Sequence, residues 1–133
     1  MQKKELSVLV VDDQPGVRQL LDVIIRDCGH KSILARNGLE AVESVKALMP
    51  DLVFMDVCMP LMDGIEALGR IKIISPKTEV ALMTAYISDE MVQQAKTTGA
   101  FMFFNKPFDV EDIKLLIEDF SWGRYNKRNV TAV

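Results

Sequence analysis

Four apolar runs in this chain of 133 residues each lead into polar residues able to do chemistry. Asp12 and Asp13 follow the run 8–11, VLVV. Asp56 follows 52–55, LVFM, and Thr84 follows 80–83, VALM. Lys106 follows 101–104, FMFF, with Asn105 between and Pro107 after it. Three carboxylates brought together repel, and they share a site stably only if their pKa values rise or a cation binds. With no His or Cys beside them, such hard oxygen donors suit Mg2+ or Mn2+ rather than zinc. One carboxylate stays available as a nucleophile, and aspartyl phosphate is a known covalent form. A lysine ammonium and a threonine hydroxyl would serve phosphoryl oxygens. The set suits phosphoryl transfer, in which positioning and charge neutralisation supply most of the catalysis.

These groups meet only if the runs are parallel strands of one sheet, whose C-terminal ends form a ligand-binding edge. The chain alternates strand and helix five times. Strands are expected at about Ser7 to Val11, Lys31 to Ala35, Leu52 to Met55, Glu79 to Met83 and Phe101 to Phe104. Helices are expected from Pro15 to Cys28, Leu39 to Leu48, Ile65 to Ile74, Ser88 to Thr98 and Asp109 to Phe120. Pro15 sits in a first turn, Gly29 and Gly99 lie just past helix ends, and Pro50 stops the second helix. Alternation of this kind implies a parallel sheet covered on both faces. Strand two is the most polar and belongs at an edge; the others read as doubly covered strands. The expected fold is α/β, a flavodoxin-like doubly wound sheet of order 2-1-3-4-5 with five helices. Its switch point lies between strands one and three, flanked by Asp12, Asp13 and Asp56. Residues 1–120 form one domain on this reading, and 121–133 a loose C-terminal tail.

The composition is 49% hydrophobic and 26% charged, as in a soluble globular domain. A net charge of -3 lends no support to direct nucleic-acid binding. Arg124, Lys127 and Arg128 read as a solvated basic tail. Two cysteines, Cys28 and Cys58, make neither a disulfide framework nor a zinc site. Cys28 falls on the inward stripe of the first helix. No apolar stretch reaches bilayer length, so no membrane association is expected and a cytoplasmic setting is the default.

The motifs resemble the receiver domain of bacterial two-component response regulators over about Ser7 to Phe120. They are Val11-Asp12-Asp13, Asn37-Gly38, Asp51 to Asp56, Met59-Pro60-Leu61-Met62-Asp63-Gly64, Met83-Thr84-Ala85 and Lys106-Pro107-Phe108. The resemblance implies that Asp56 accepts a phosphoryl group from a histidine of a kinase or phosphotransferase. It implies that Asp13 ligates Mg2+ with Asp56 and the Cys58 backbone carbonyl, Asp12 acting directly or through water. Thr84 and Lys106 would contact the phosphoryl group, and a cis Lys106-Pro107 bond would aim Lys106 into the pocket. Within the family the chain resembles stand-alone receivers of sporulation phosphorelays. Shared stretches include Asp12-Asp13-Gln14 with Gly16 and Arg18, Gly64-Ile65-Glu66, Thr84-Ala85-Tyr86 and Phe108-Asp109. It departs from them at Cys58, where they have lysine, and at Phe103, where they have histidine. Thr84 and Phe103 would form a switch, with the aromatic ring turning inward on activation.

Duller readings stand beside these. Asp12, Asp13 and Asp56 could be solvated strand ends, Thr84 a packing residue and Lys106 a loop lysine. Tyr86 reads as a half-exposed aromatic and His30 as a surface turn residue. Val17 and Leu20 are either the core margin of the first helix or, with Gln14, an apolar edge for docking a helical phosphodonor. Three functions compete. One is a phosphorylation-switched receiver, as a phosphorelay intermediate or as part of a longer transcriptional activator. Another is an aspartyl-phosphate hydrolase of the haloacid-dehalogenase type, which needs an acid where Cys58 stands. The third is a pseudo-receiver that only binds.

Overall fold

The computed structural model describes residues 2–124. It contains β1 (Ser7–Val11), α1 (Pro15–Asp27), β2 (Lys31–Ala35), α2 (Gly38–Leu48), β3 (Leu52–Asp56), α3 (Gly64–Ile74), β4 (Glu79–Thr84), α4 (Asp89–Thr98), β5 (Met102–Asn105) and α5 (Val110–Ser121). The strands form one parallel sheet of order β2-β1-β3-β4-β5, the order expected from the alternation.

Side chains alternate across a strand, so each strand feeds two cores. Leu9, Val11, Val53, Met55, Val80, Leu82 and Phe103 face α2, α3 and α4. Val8, Val10, Leu52, Phe54, Ala81, Met83 and Phe104 face α1 and α5. Double coverage explains why β3 and β4 are buried at every position while β2, an edge strand, is not.

Local chemistry fixes the helix starts. Asn37, Asp63, Ser88 and Asp109 each accept a hydrogen bond from a backbone N–H in the first turn, which satisfies donors that the helix leaves open. In α1 the first turn begins at Pro15, which needs no partner for a missing N–H. Gly29 and Gly99 take the left-handed backbone past the ends of α1 and α4.

Two expectations are corrected. The sequence past Phe120 reads as loose, yet α5 runs to Ser121, which is buried. The Lys4 N–H donates to the Ser121 carbonyl at 2.8 Å, and Trp122 Nε1 donates to Glu118 at 2.8 Å. The rest of the expected tail, with Lys127 and Arg128, lies outside the described residues. His30 is not a surface turn residue but is buried. Its Nδ1 accepts the Leu6 N–H at 2.9 Å, while the Lys31 N–H donates to the Leu6 carbonyl at 2.9 Å. Together they tie the entry of β1 to that of β2.

An imidazole nitrogen that accepts cannot carry a proton, so this bond requires neutral His30. Burial lowers its pKa below the usual histidine value, and the nearby Lys3 ammonium adds to the effect. Unfolded chains therefore take up a proton at a pH where the folded protein refuses one. The His30 contribution is complete above the ordinary histidine pKa, about 6.5, and is lost as pH falls toward the lower folded value. His30 is the one histidine in the chain. Urea midpoints measured from pH 7.5 to 5.5 should decline for the wild type and stay flatter for His30→Gln; equal slopes would contradict the assignment.

Candidate functional site

β1 and β3 are neighbours, with Val11 paired to Met55. The next residues, Asp12 and Asp56, therefore end adjacent strands at the same edge, and both are buried. Asp13 follows on the exposed rim. Carboxylate oxygens of Asp12, Asp13 and Asp56 lie within 4.8 Å of one another. On the far side, β4 ends at Thr84 and β5 at Asn105, which pair with each other. The Lys106 N–H donates to the Thr84 carbonyl at 2.8 Å, so the β4 ladder continues into the lysine. From there the Lys106 ammonium reaches Asp12 Oδ2 at 2.6 Å and Asp56 Oδ2 at 3.4 Å. The Lys106-Pro107 bond is cis, as expected.

Asp12 is held at every polar atom. Its N–H donates to the Ala35 carbonyl at 3.2 Å and its carbonyl accepts from Arg18 at 2.7 Å. Oδ1 accepts the Gln14 N–H at 2.9 Å, opposite Lys106 on Oδ2. Asp56 is held more loosely, its Oδ1 accepting the Cys58 N–H at 3.4 Å. Among the described residues the Asp13 carboxylate has no hydrogen bond or ion pair, which leaves it the freest of the three to take a ligand.

Burial raises the Asp56 pKa and the Asp12 charge adds to it, against the lowering by the Lys106 ammonium. Burial alone would lower the Lys106 pKa, but the bond to Asp12 and the charges of Asp12 and Asp56 outweigh it and hold the amine charged. Three carboxylates thus face one ammonium. The donor set is all hard oxygen and fits one small divalent cation, with Asp12, Asp13 and Asp56 as the side chains able to hold it. Excess negative charge with an exposed rim favours a ligand that brings positive charge.

A family model described as the response regulator receiver domain matches residues 8–118. The chain belongs to the response regulator receiver family. It is 44% identical over 108 residues to sporulation initiation phosphotransferase F of Bacillus subtilis, covering 81% of this chain and 87% of that protein. To a chemotaxis protein CheY of Halobacterium salinarum it is 38% identical over 113 residues, 85% of this chain and 94% of that one. Among solved structures, Vibrio cholerae CheY4 superposes with a TM-score of 0.79 at 30% identity, covering 84% of this chain and 96% of that chain. The fold is thus the CheY-like flavodoxin fold. Of the transcriptional regulatory protein ZraR of Klebsiella oxytoca, to which it is 37% identical, the chain spans only 27%. As a receiver, the protein is a phosphoacceptor of two-component signalling.

The receiver's remaining expected residues are placed as follows. Thr84 is buried at the end of β4, and its hydroxyl accepts the Tyr86 N–H at 3.3 Å. Cys58 is exposed beside Asp56. Tyr86 is 80% exposed rather than half-exposed. Gln14, Val17 and Leu20 meet Lys106, Pro107 and Phe108 around one cleft of about 410 Å³, which shares Lys106 with the acidic pocket. Leu20 is exposed, while Val17 is half-buried and packs against the core beneath α1, so the core margin holds Val17 and the open side holds Leu20. Phe103 is fully buried in the core with Leu82 and Ala95. A larger cavity of about 460 Å³ between the ends of α2 and α3 lies at the opposite edge of the sheet and gathers no acidic cluster.

Sequence reading missed two contributors. Arg18 appears among the shared stretches, but nothing in the sequence shows that it reaches the carbonyl six residues back. Gly64 appears in a motif, but its reason is steric. A Cβ there would collide with the Asp56 carbonyl and come within 2.8 Å of Val57 Cα. The close approach lets the Gly64 N–H donate to the Val57 carbonyl at 2.8 Å, locking the loop after Asp56. Gly69, in the same helix, would meet only Thr98 Cγ2 at 3.6 Å. In urea unfolding, Gly64→Ala should cost about 1–3 kcal/mol, as overpacking against backbone does. Gly69→Ala should gain roughly 0.5–1 kcal/mol, as Gly→Ala does within a helix. Equal effects would remove the steric account.

Proposed function

We propose that Asp56 is the phosphoacceptor, taking its phosphoryl group from a phosphohistidine of a histidine kinase or phosphotransferase in a Mg2+- or Mn2+-dependent reaction. The observation that carries this reading is the Lys106 ammonium spanning Asp12 and Asp56 at the buried strand ends. An oxygen of Asp56 attacks phosphorus, the P–N bond breaks, and its electron pair stays on the donor imidazole. The product is an acyl phosphate. The cation, when bound, neutralises charge on the phosphoryl oxygens. Asp12 and Asp13 hold it with Asp56, and the Cys58 carbonyl is the fourth protein donor in this reading. Lys106 and Thr84 receive the transferred oxygens. The protein catalyses only its own phosphorylation and dephosphorylation, so it is a signalling domain rather than an enzyme acting on separate substrates.

The relative named a phosphotransferase supports a place inside a phosphorelay. The cleft formed by Gln14, Val17 and Leu20 supports docking of an apolar helical donor beside Asp56. A receiver portion of a longer transcriptional activator is the second reading, favoured by the match to ZraR. The receiver unit takes in residues 1–120 and extends to Arg124 by the contacts of Ser121 and Trp122.

Incubation with acetyl phosphate and Mg2+ should add one base-labile phosphate, seen by mass spectrometry. Asp56→Asn and chelation should each abolish it. Many turnovers of acetyl phosphate would indicate a hydrolase, and no labelling a pseudo-receiver.

The switch follows from the same site. A phosphoryl group on Asp56 would draw the Thr84 hydroxyl from the Tyr86 N–H toward a new acceptor. Phe103 is already packed, so the signal would pass as a repacking around it rather than as a change in exposure. Beryllofluoride with Mg2+ should shift the amide resonances of Thr84, Tyr86 and Phe103. Shifts confined to residues 12–20 would move the output surface to α1.

A further inference from the structure

We propose that Arg18 is a positioning residue that aims Asp13 at the cation; this rests on the reading of the acidic pocket as a divalent-metal site. The Asp12 carbonyl oxygen and the Asp13 N–H belong to one rigid peptide plane. Arg18 Nη1 grips that oxygen at 2.7 Å. The plane is thereby fixed from a helix, because Arg18 is the fourth residue of α1 and its own N–H donates to the Gln14 carbonyl at 3.1 Å. Fixing the plane fixes where the Asp13 Cα and Cβ leave the strand end. The Gln14 N–H on Asp12 Oδ1 pins the peptide that follows Asp13, and among the described residues the Asp13 side chain has no partner of its own. Asp12 needs no such help, since Gln14 and Lys106 hold both its oxygens. Arg18 also ties the loop to α1, in a turn where Gln14 supplies no side-chain cap.

Charge and geometry make opposite demands here. Arg18 brings a positive charge close to a cluster that must accept a divalent cation. On charge alone, its removal would tighten Mg2+ binding. If Arg18 works by aiming Asp13, its removal weakens binding, because partners that orient a metal ligand set the affinity of the site.

The test is a Mg2+ titration of the folded full chain, followed by the amide resonances of Asp13 and Gln14. Arg18→Met keeps the stem and removes the donor and the charge. Its Mg2+ Kd should rise about tenfold, at the lower end of what loss of an orienting partner costs. An unchanged or lower Kd would overturn the proposal. Should that variant fail to fold, Arg18→Leu removes the same donor and charge with a shorter apolar side chain. Its Kd should also rise, and an unchanged value would overturn the proposal equally. Absence of saturable Mg2+ binding in the wild type would overturn the metal-site reading itself, and this inference with it.

Discussion

Among the described residues Lys106 is the one ammonium inside a pocket that buries two carboxylates and places a third on the rim. An exposed pair of the same groups would contribute at most about 1 kcal/mol. Here Asp12 is fully buried, and removing one partner of a buried pair typically costs about 3–5 kcal/mol because a charge is left without compensation. The strand order follows from the same need. Asp12 and Asp56 can share one amine only if β1 and β3 are adjacent and in register at their ends. Lys106 can return to them only if β5 ends at the same edge. The sheet topology is therefore also a statement about where three charges and one countercharge meet.

The loops above that edge are stacked as tightly as the strands below. Gly64 lies against the Asp56 backbone. A Cβ on Gly38 would come within 2.8 Å of the Met62 carbonyl, so α2 starts against the loop that leads into α3. The Val57 N–H donates to the Met83 carbonyl at 2.9 Å and carries the β3–β4 ladder past Asp56. Arg18 secures the remaining loop from α1. Each loop is short and tied down, so Asp13 is placed by the main chain, while Asp12 is held through its own carboxylate as well. That leaves Asp13 and Asp56 open to ligands while keeping them in place.

The strand order, the edge position of β2, the two-faced core and the convergence of Asp12, Asp13, Asp56, Thr84 and Lys106 were legible because they follow from periodicity and from the ends of apolar runs. The missed features depend on contacts across loops. His30 follows a helix-ending glycine, which reads as a surface turn. Its burial arises because Leu6 N–H, far away in sequence, needs an acceptor. Ser121 lies beyond the last periodic apolar residue, and its helical state comes from Lys4 and from the packing of α5. Phe103 lies in an apolar run, and its burial follows from that run. With Leu82 as its strand partner and Ala95 above, it fills core space that a polar residue there would not.

The two edges of the sheet are built on opposite electrostatic terms. At the N-terminal edge, Asp51 accepts from Lys4 at 2.8 Å and from the Ser7 N–H at 2.9 Å. Lys72 donates to the carbonyls of Pro76 and Thr78, each at 2.8 Å, and to the buried carboxylate of Glu79 at 2.9 Å. Charges there are matched and their bonds filled. At the C-terminal edge carboxylates outnumber the ammonium, and one carboxylate lacks any partner among the described residues. A domain evenly satisfied at both ends would be more stable and would have no reason to bind a cation or to change on gaining a phosphoryl group. Concentrating the imbalance at one edge, over a core anchored at the other, lets the charge state of Asp56 alter the local balance without threatening the fold.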